Sequence, residues 1–232
     1  MSEKREFPIV DLISAPENTL KTIYTACRTC YSAKYPVEIW ETPQTEEKML
    51  SLVKNVLASG HHSTIEHCQY VFSISGVSRA CTHQLVRHRH MSFSQKSQRY
   101  VTEKGQFEYV VPPTLKDSPM RKEYEEFMEK ISSFYARMIE NGIPAEDARY
   151  VLPNGATSSL IASLNLREMI HVANLRLCTN AQLEIRKMVQ KMCKLVIEKE
   201  PWLSEYLVPK CDIKGYCDEI KSCGRHATRK HS

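Results

Sequence analysis

The chain holds 232 residues, enough for one large domain or two small ones around a sizeable core. Its 42 % hydrophobic and 25 % charged residues suit a folded protein, and no run approaches a membrane span. A net charge of +5 favours anionic ligands without reaching the strongly basic balance of a dedicated nucleic-acid binder.

The opening "MSEKREFPIV" lacks the apolar core of a signal peptide, so a cytoplasmic protein is expected. Its nine cysteines are then expected to be reduced thiols. "FPIVDLIS" predicts a strand, and a helix follows near Leu20 to Tyr31. "TEEKMLSLVKNVLASG" predicts a clear helix. Thr45 caps it, Glu46 and Glu47 suit its first turn, and Gly60 ends it. Met49, Leu52, Val53, Val56 and Leu57 make its apolar face.

"QYVFSIS" alternates as a strand does, and "SRACTHQLVR" reads as a short helix. "QFEYVVPP" predicts another strand, stopped by Pro112 and Pro113. Residues 119 to 141 carry a helical stripe that includes Tyr124, Met128, Ile131 and Tyr135, closed by Gly142. Pro144 opens a short helix, "ATSSLIASLN" is extended, and helices cover 165 to 177 and 181 to 199. Strands and helices do not alternate strictly, which predicts an α+β fold with a mixed or antiparallel sheet flanked by long helices.

Three segments carry candidate chemistry. In "RHRHMSFSQKSQRY", Arg87, Arg89 and Arg99 stay charged at neutral pH and match phosphate oxygens, while Ser92, Ser94, Gln95 and Ser97 add neutral donors and acceptors. Such a stretch is a solvated basic loop or the seat of a phosphate-bearing ligand. In "SGHHSTIEH", His61, His62, Glu66 and His67 lack the His-Glu-x-x-His spacing of a zinc helix. Polar capping and the positioning of a flat cofactor remain open there. In "NLREMIHVANLR", Arg167 and His171 share a helix face, and Arg176 points to the opposite side. No Gly-x-Gly-x-x-Gly follows a strand and no Walker A loop is present, so any nucleotide is held by side chains and local backbone.

Together these residues resemble the flavin-dependent thymidylate synthases, whose signature is Arg-His-Arg, seven residues, then serine. Arg87, His88, Arg89 and Ser97 fill those positions. "GHHSTIEH", "ARYVLP" and "NLREMIHVANLR" extend the match, in order, over roughly residues 7 to 208. The resemblance implies reductive methylation of dUMP to dTMP. Carbon would come from 5,10-methylenetetrahydrofolate, and hydride from FAD reduced by NADPH. It also implies a homotetramer with shared active sites, a methyltransferase of nucleotide biosynthesis with no nucleic-acid or membrane partner.

Carried over by position, His61, Ser63, Glu66, Arg87, His88, Arg89, Ser94, Gln95, Asn165, Arg167 and His171 would hold FAD. Gln84, Arg87, Gln95, Ser97, Arg99, Arg149 and Arg176 would meet dUMP, with Arg176 and His61 in catalytic roles. Gln95 stands where many members carry Glu, and His171 where many carry Asn.

Residues 1–208 are expected to form the catalytic domain and 209–232 a mobile, thiol-bearing extension. Its Cys211, Cys217, Cys223, His226 and His231 match no zinc ribbon or finger, and no metal is assigned. A metal shared with "CRTC" at 27 to 30 is the alternative. Two rival classes are a nucleic-acid module, with salt-dependent binding, and a metal-dependent hydrolase using His61, His62 and His67.

Overall fold

The computed structural model describes residues 8–103 and 106–229. Lys104, Gly105 and His231 therefore lie outside the described residues. The chain is α+β, with four strands in one antiparallel sheet: β1 (Ile9–Ser14), β2 (Gln69–Ser78), β3 (Ser92–Gln95) and β4 (Thr157–Asn165), in the order β1-β2-β4-β3. The helices in chain order are α1 (Thr19–Thr29), α2 (Pro36–Glu41), α3 (Glu46–Ala58), α4 (Arg79–Leu85) and α5 (Pro113–Lys116). They continue with α6 (Arg121–Glu140), α7 (Ala145–Ala148), α8 (Leu166–Arg176), α9 (Leu183–Lys199) and α10 (Lys210–Lys214). No helix among the described residues is long and apolar enough to cross a membrane.

Two compact units divide the chain. The first takes residues 8–10, 73–89 and 93–162; the second takes 11–72, 90–92 and 163–229.

In the second unit, α3 forms as its sequence predicts. The Thr45 hydroxyl accepts the Lys48 amide at 3.3 Å, a cap worth about 1 kcal/mol. Gly60 takes φ +83°, which a side chain would strain. Val53 and Leu57 are buried against α1, whose Ile23 and Cys27 are also buried. Helices α8 and α9 pack together through Met169, Val172, Ile185 and Val189, all fully buried. Burial pushes the thiols of Cys68 and Cys193 up to about 12, so both serve as inert core residues.

In the first unit, Ser78 ends β2 and starts α4, its hydroxyl accepting the Cys81 amide at 3.0 Å. Helix α6 turns Met128 and Tyr135 inward, and Met128 packs with Phe107 and Ala156. Tyr109 and Tyr124 meet edge to face at 5.9 Å beside that cluster.

Two predicted segments differ from the structure. "QFEYVVPP" is no strand: one antiparallel bridge, Tyr109 to Ala156, is all the ladder it makes. Val110 and Thr157 amides bond Gly155 and Glu108 carbonyls at 2.9 and 2.8 Å, after which Pro112 and Pro113 offer no N–H and Pro113 opens α5. The basic loop, by contrast, contains the edge strand β3, short and half polar, with Ser92 and Ser94 outward and Phe93 and Gln95 half-buried.

The extension also differs from a loose tail. Its residues form α10 and a network of ion pairs, with Lys210 Nζ 2.8 Å from Asp218 and 2.7 Å from Glu219. Asn174 of α8 donates to the carbonyls of Tyr206 and Val208 at 3.2 and 2.7 Å, fixing the chain just before it.

Candidate active site

Family-matched residues of the second unit gather around one cavity of about 480 Å³, lined by Glu66, His90, Asn165, Arg167, Glu168 and His171. Its wall begins where β4 runs into α8. Asn165 is the N-cap, its Oδ1 accepting the Glu168 amide at 2.9 Å, which leaves the amide nitrogen free for a ligand. From that start, Arg167 and His171 stand one turn apart on the exposed face, while Met169 and Val172 point into the core. The Leu166 amide bonds the Cys68 carbonyl at 2.8 Å and so ties α8 to the segment after Glu66.

Glu66 closes the short 3-10 turn His62–Ile65 and meets Arg167, with Nη1 to Oε1 at 2.5 Å. Both side chains are more than a third exposed, so the pair contributes at most about 1 kcal/mol to stability. Its larger effect is to orient a guanidinium at the rim of the cavity. His61 and Ser63 are exposed on the same turn, the His61 carbonyl accepting the Thr64 hydroxyl at 3.2 Å. His62 Nε2 meets the Leu57 carbonyl at 3.1 Å, which holds its ring against α3. Among the described residues, His61, His62 and His67 do not bring three ligating atoms within 4.8 Å of one another.

In the first unit, Gln95 is the best-fixed polar side chain. Its amide nitrogen donates to the hydroxyls of Thr82 on α4 and Ser158 on β4, at 3.2 and 3.1 Å. With both N–H groups used, Oε1 is left as an acceptor aimed by two separate elements. The Lys96 amide bonds the Ser159 carbonyl at 2.9 Å and holds that end of β3 to β4. Ser94 lies on the opposite, exposed side of the strand from Gln95, so the two do not share a surface.

Three arginines also belong to this unit. Arg99 Nε donates to Glu146 Oε2 at 2.6 Å, and Arg149 Nε donates to the Glu146 carbonyl at 3.0 Å. One residue of α7 thus fixes two guanidinium groups. Arg79, at the start of α4, is held below the usual arginine range by burial first and by the charge of Arg149 second. Neighbouring cations of this kind favour an anionic ligand nearby. Ser97 Oγ accepts the Arg99 amide at 3.2 Å, shaping the turn that delivers Arg99.

The remaining candidates divide. Arg87 and Arg89 are exposed after α4, and Gln84 is half-buried on it. His88, expected beside FAD, is only 5 % exposed. Arg176 ends α8, half-buried, and does not line the cavity of Arg167 and His171. The helical turn separates them as the spacing predicts.

Sequence reasoning missed His90 and Glu168 at the cavity, and Arg79, Thr82, Glu146 and Ser158 as partners of the predicted residues. His90 and Glu168 adjoin matched residues and were legible by adjacency. The others come from distant parts of the chain and carry no local pattern.

The Thy1 family, described as thymidylate synthase complementing protein, matches residues 11–202. The flavin-dependent thymidylate synthase of Nitratidesulfovibrio vulgaris is 39 % identical over 241 residues, covering 97 % of this chain and 98 % of its own. That of Geobacter sulfurreducens is 39 % identical over 208 residues, covering 88 % and 89 %. That of Pyrococcus abyssi is 36 % identical over 220 residues, covering 90 % and 89 %.

Among solved structures, a UMP/dUMP methylase, PolB from Streptomyces cacaoi bound with 5-Br dUMP, has a TM-score of 0.74 at 22 % identity. It covers 88 % of this chain and 98 % of that one, a likeness of fold. With the family matched along most of its length, the chain belongs to the Thy1 family, that of the flavin-dependent thymidylate synthases.

Proposed function

We propose that this protein converts dUMP to dTMP, taking carbon from 5,10-methylenetetrahydrofolate and reducing power from NADPH through bound FAD. The observation that carries the reading is that the family-matched polar residues are held by their own folded surroundings in ligand-receiving arrangements. Gln95 is fixed by two hydroxyls and Arg99 and Arg149 by Glu146. Asn165 and Arg167 stand at the mouth of a polar cavity.

The donor set of that cavity fits a flavin. A flavin presents a pyrophosphate, a chain of hydroxyls and a ring edge of alternating N–H and C=O groups. Arg167 supplies a cation for the phosphates, and Asn165 and His171 supply hydrogen bonds to neutral edges. Glu66, already paired with Arg167, suits hydroxyl and N–H donors. His61 and Ser63 would lie against the cofactor, and Arg87, Arg89 and Ser94 would add contacts from their own exposed surface. His88 would support the Arg-His-Arg turn from inside. When bound, the flavin supplies the hydride chemistry that no side chain can.

For the nucleotide, Arg99 and Arg149 would take the phosphate, with Arg79 adding to the positive field and Gln84, Arg87 and Ser97 completing the seat. The Gln95 Oε1 acceptor suits the N3–H of a uracil ring. Gln95 would therefore read the base without bringing a charge to it. Carbon 5 of uracil becomes a useful nucleophile only when negative charge on the ring oxygens is stabilised. Arg176, a permanent cation, would supply that stabilisation. Carbon 5 would attack the methylene carbon, loss of the C5 proton with cleavage of the folate C–N bond would release tetrahydrofolate, and hydride would then complete the methyl group. No covalent enzyme nucleophile is needed, and Ser97 binds rather than attacks.

The assembly would be a homotetramer. Helix α6 exposes Phe127 and Phe134 at 58 % and 46 %, two apolar rings seven residues apart on one side, which suits a subunit contact. Arg176 on the far side of α8 from Arg167 would serve the site of another subunit. Residues 1–208 would be the catalytic part and 209–232 an added extension. The nine cysteines, present as thiols, suit a cytoplasmic setting.

The visible spectrum of the purified protein tests the cofactor assignment. A flavin spectrum that shifts with dUMP and bleaches with NADPH without air is expected. A colourless protein that takes up no added FAD would remove the reading.

A further inference from the structure

Arg176, assigned above to stabilise charge on the uracil ring, is the last residue of α8. The carbonyls of a helix's final turn find no partner further along the helix, so such an end frays unless something outside holds it. Burial does not fix the chain that follows, for Thr179 and Asn180 are exposed. The extension does. Before Arg176, Asn174 Nδ2 is bonded to the Tyr206 and Val208 carbonyls. After it, Asn180 Nδ2 donates to the Lys221 carbonyl at 3.1 Å and reaches Glu219 Oε2 at 3.5 Å. Arg186 of α9 adds a bond from Nη1 to the Thr179 carbonyl at 3.0 Å. Between these ties, Cys178 lines one small cavity with Cys211, Cys217 and Cys223. Two asparagines thus secure the chain on either side of Arg176 to residues 206–221.

Such a support must itself be stiff, and apolar burial adds little to it. Ile213 and Ile220 are exposed, and the buried residues from 209 to 229 are Cys211 and Cys217. Charge and backbone supply the stiffness instead. Lys210 holds Asp218 and Glu219 together, and Lys214 meets Asp218 at 2.7 Å. Isolated exposed ion pairs hold little, but charges that share partners act as a network. The Glu219 carboxyl is kept below the usual carboxylate range by Lys210 first, with Asn180 adding to it. Arg225 meets the two oxygens of Asp212 at 2.7 and 2.6 Å, and His226 Nε2 lies 2.8 Å from one of them. The Cys217 amide bonds the Ala227 carbonyl at 2.8 Å, and the Arg229 amide returns to the Cys217 carbonyl at 3.1 Å. Asn180 therefore grips a segment that is already fixed.

We propose that the extension is a positioning element for Arg176, with Asn174 and Asn180 as the positioning residues that act through it. The proposal rests on the catalytic role given to Arg176 above. A fixed cation stabilises developing charge only if it is held in place before the reaction, and a displacement of about 1 Å costs on the order of a hundredfold in rate. Arg176 is a long, flexible side chain at a helix end, so its placement depends on the backbone beneath it. The extension lines no part of the cavity of Asn165, Arg167 and His171, so flavin uptake is independent of it.

The test is a double-mutant cycle between Asn180 and Arg176 in the full-length protein, read by kcat and KM for dUMP and by flavin absorption. Asn180 is exposed, so alanine there leaves the core intact. Asn180→Ala should lower kcat by about tenfold, with KM and flavin content little changed. In an Arg176→Ala background the same substitution should change kcat by less than about twofold, because the group it positions is gone. Ile220→Ala, a fully exposed neighbour in the same segment, should leave the rate unchanged. Equal losses from Asn180→Ala in both backgrounds would overturn the proposal, as would a wild-type rate from Asn180→Ala beside a slow Arg176→Ala. A wild-type rate from Arg176→Ala would instead overturn the role given to Arg176, and the proposal with it. Asn174→Ala, read in the same cycle, keeps the test decisive where Asn180→Ala fails to fold.

Discussion

Replacing Arg176 by alanine should lower turnover of dUMP by about a hundredfold to a thousandfold, the loss that follows removal of one preorganised charge-stabilising donor. The protein should keep its flavin. These two outcomes separate because Arg176 ends α8 away from the cavity lined by Asn165, Arg167 and His171. Its charge would act on the uracil ring as negative charge develops there, so the effect should fall on kcat more than on KM. Arg176→Lys keeps a positive charge but loses the planar fork, and should recover only part of the rate. Flavin content by absorption and dTMP formation by chromatography check the division of labour. Loss of flavin from Arg176→Ala would overturn it.

Arg149→Ala should act in the opposite sense, raising the KM for dUMP by about tenfold to a hundredfold with a smaller change in kcat. That range is the worth of one charge-assisted hydrogen bond, about 1.5 to 3 kcal/mol. A phosphate contact remote from the reacting carbon holds ground state and transition state alike, and removing it weakens binding uniformly. The physical basis is the cationic surface around α7, where Glu146 fixes both Arg99 and Arg149 while Arg79 is held down by burial and by its neighbour's charge. Initial-rate kinetics over a wide range of dUMP concentration would distinguish the two parameters. An unchanged KM would place the phosphate elsewhere.

The two substitutions illustrate what the sequence did and did not disclose. Helix α3 was legible in full, because its cap, its acidic first turn, its apolar period and its terminal glycine all agree. The same was true of the face shared by Arg167 and His171 and of the opposed direction of Arg176, since helical spacing alone determines them. Strand β3 was hidden. It is a four-residue edge strand whose pairing with β4 rests on backbone hydrogen bonds, and its serines and glutamine read as loop. The misread strand at residues 106–113 has the reverse cause: its aromatic residues Phe107 and Tyr109 pack into a core cluster, and the segment makes one bridge rather than a ladder.

At the candidate site, the residues resembling the family motifs were available from the sequence, but the groups that aim them were not. Thr82 and Ser158 fix Gln95 from sequence distances of 13 and 63 residues, and Glu66 reaches Arg167 across 101. Tertiary proximity of that kind leaves no local trace. The extension makes the same point, since Cys178 joins the cysteines of the tail only once α8 and α10 are in place.

Isotopic tracing of the product tests the central claim most directly. Protein incubated with dUMP, NADPH, FAD and 5,10-methylenetetrahydrofolate labelled in its methylene carbon should yield dTMP carrying the label in its methyl group. Omitting dUMP, NADPH or the folate, or removing the flavin, should abolish that product. Labelled dTMP formed at full rate by flavin-free protein, or no labelled dTMP from the complete mixture, would contradict the account.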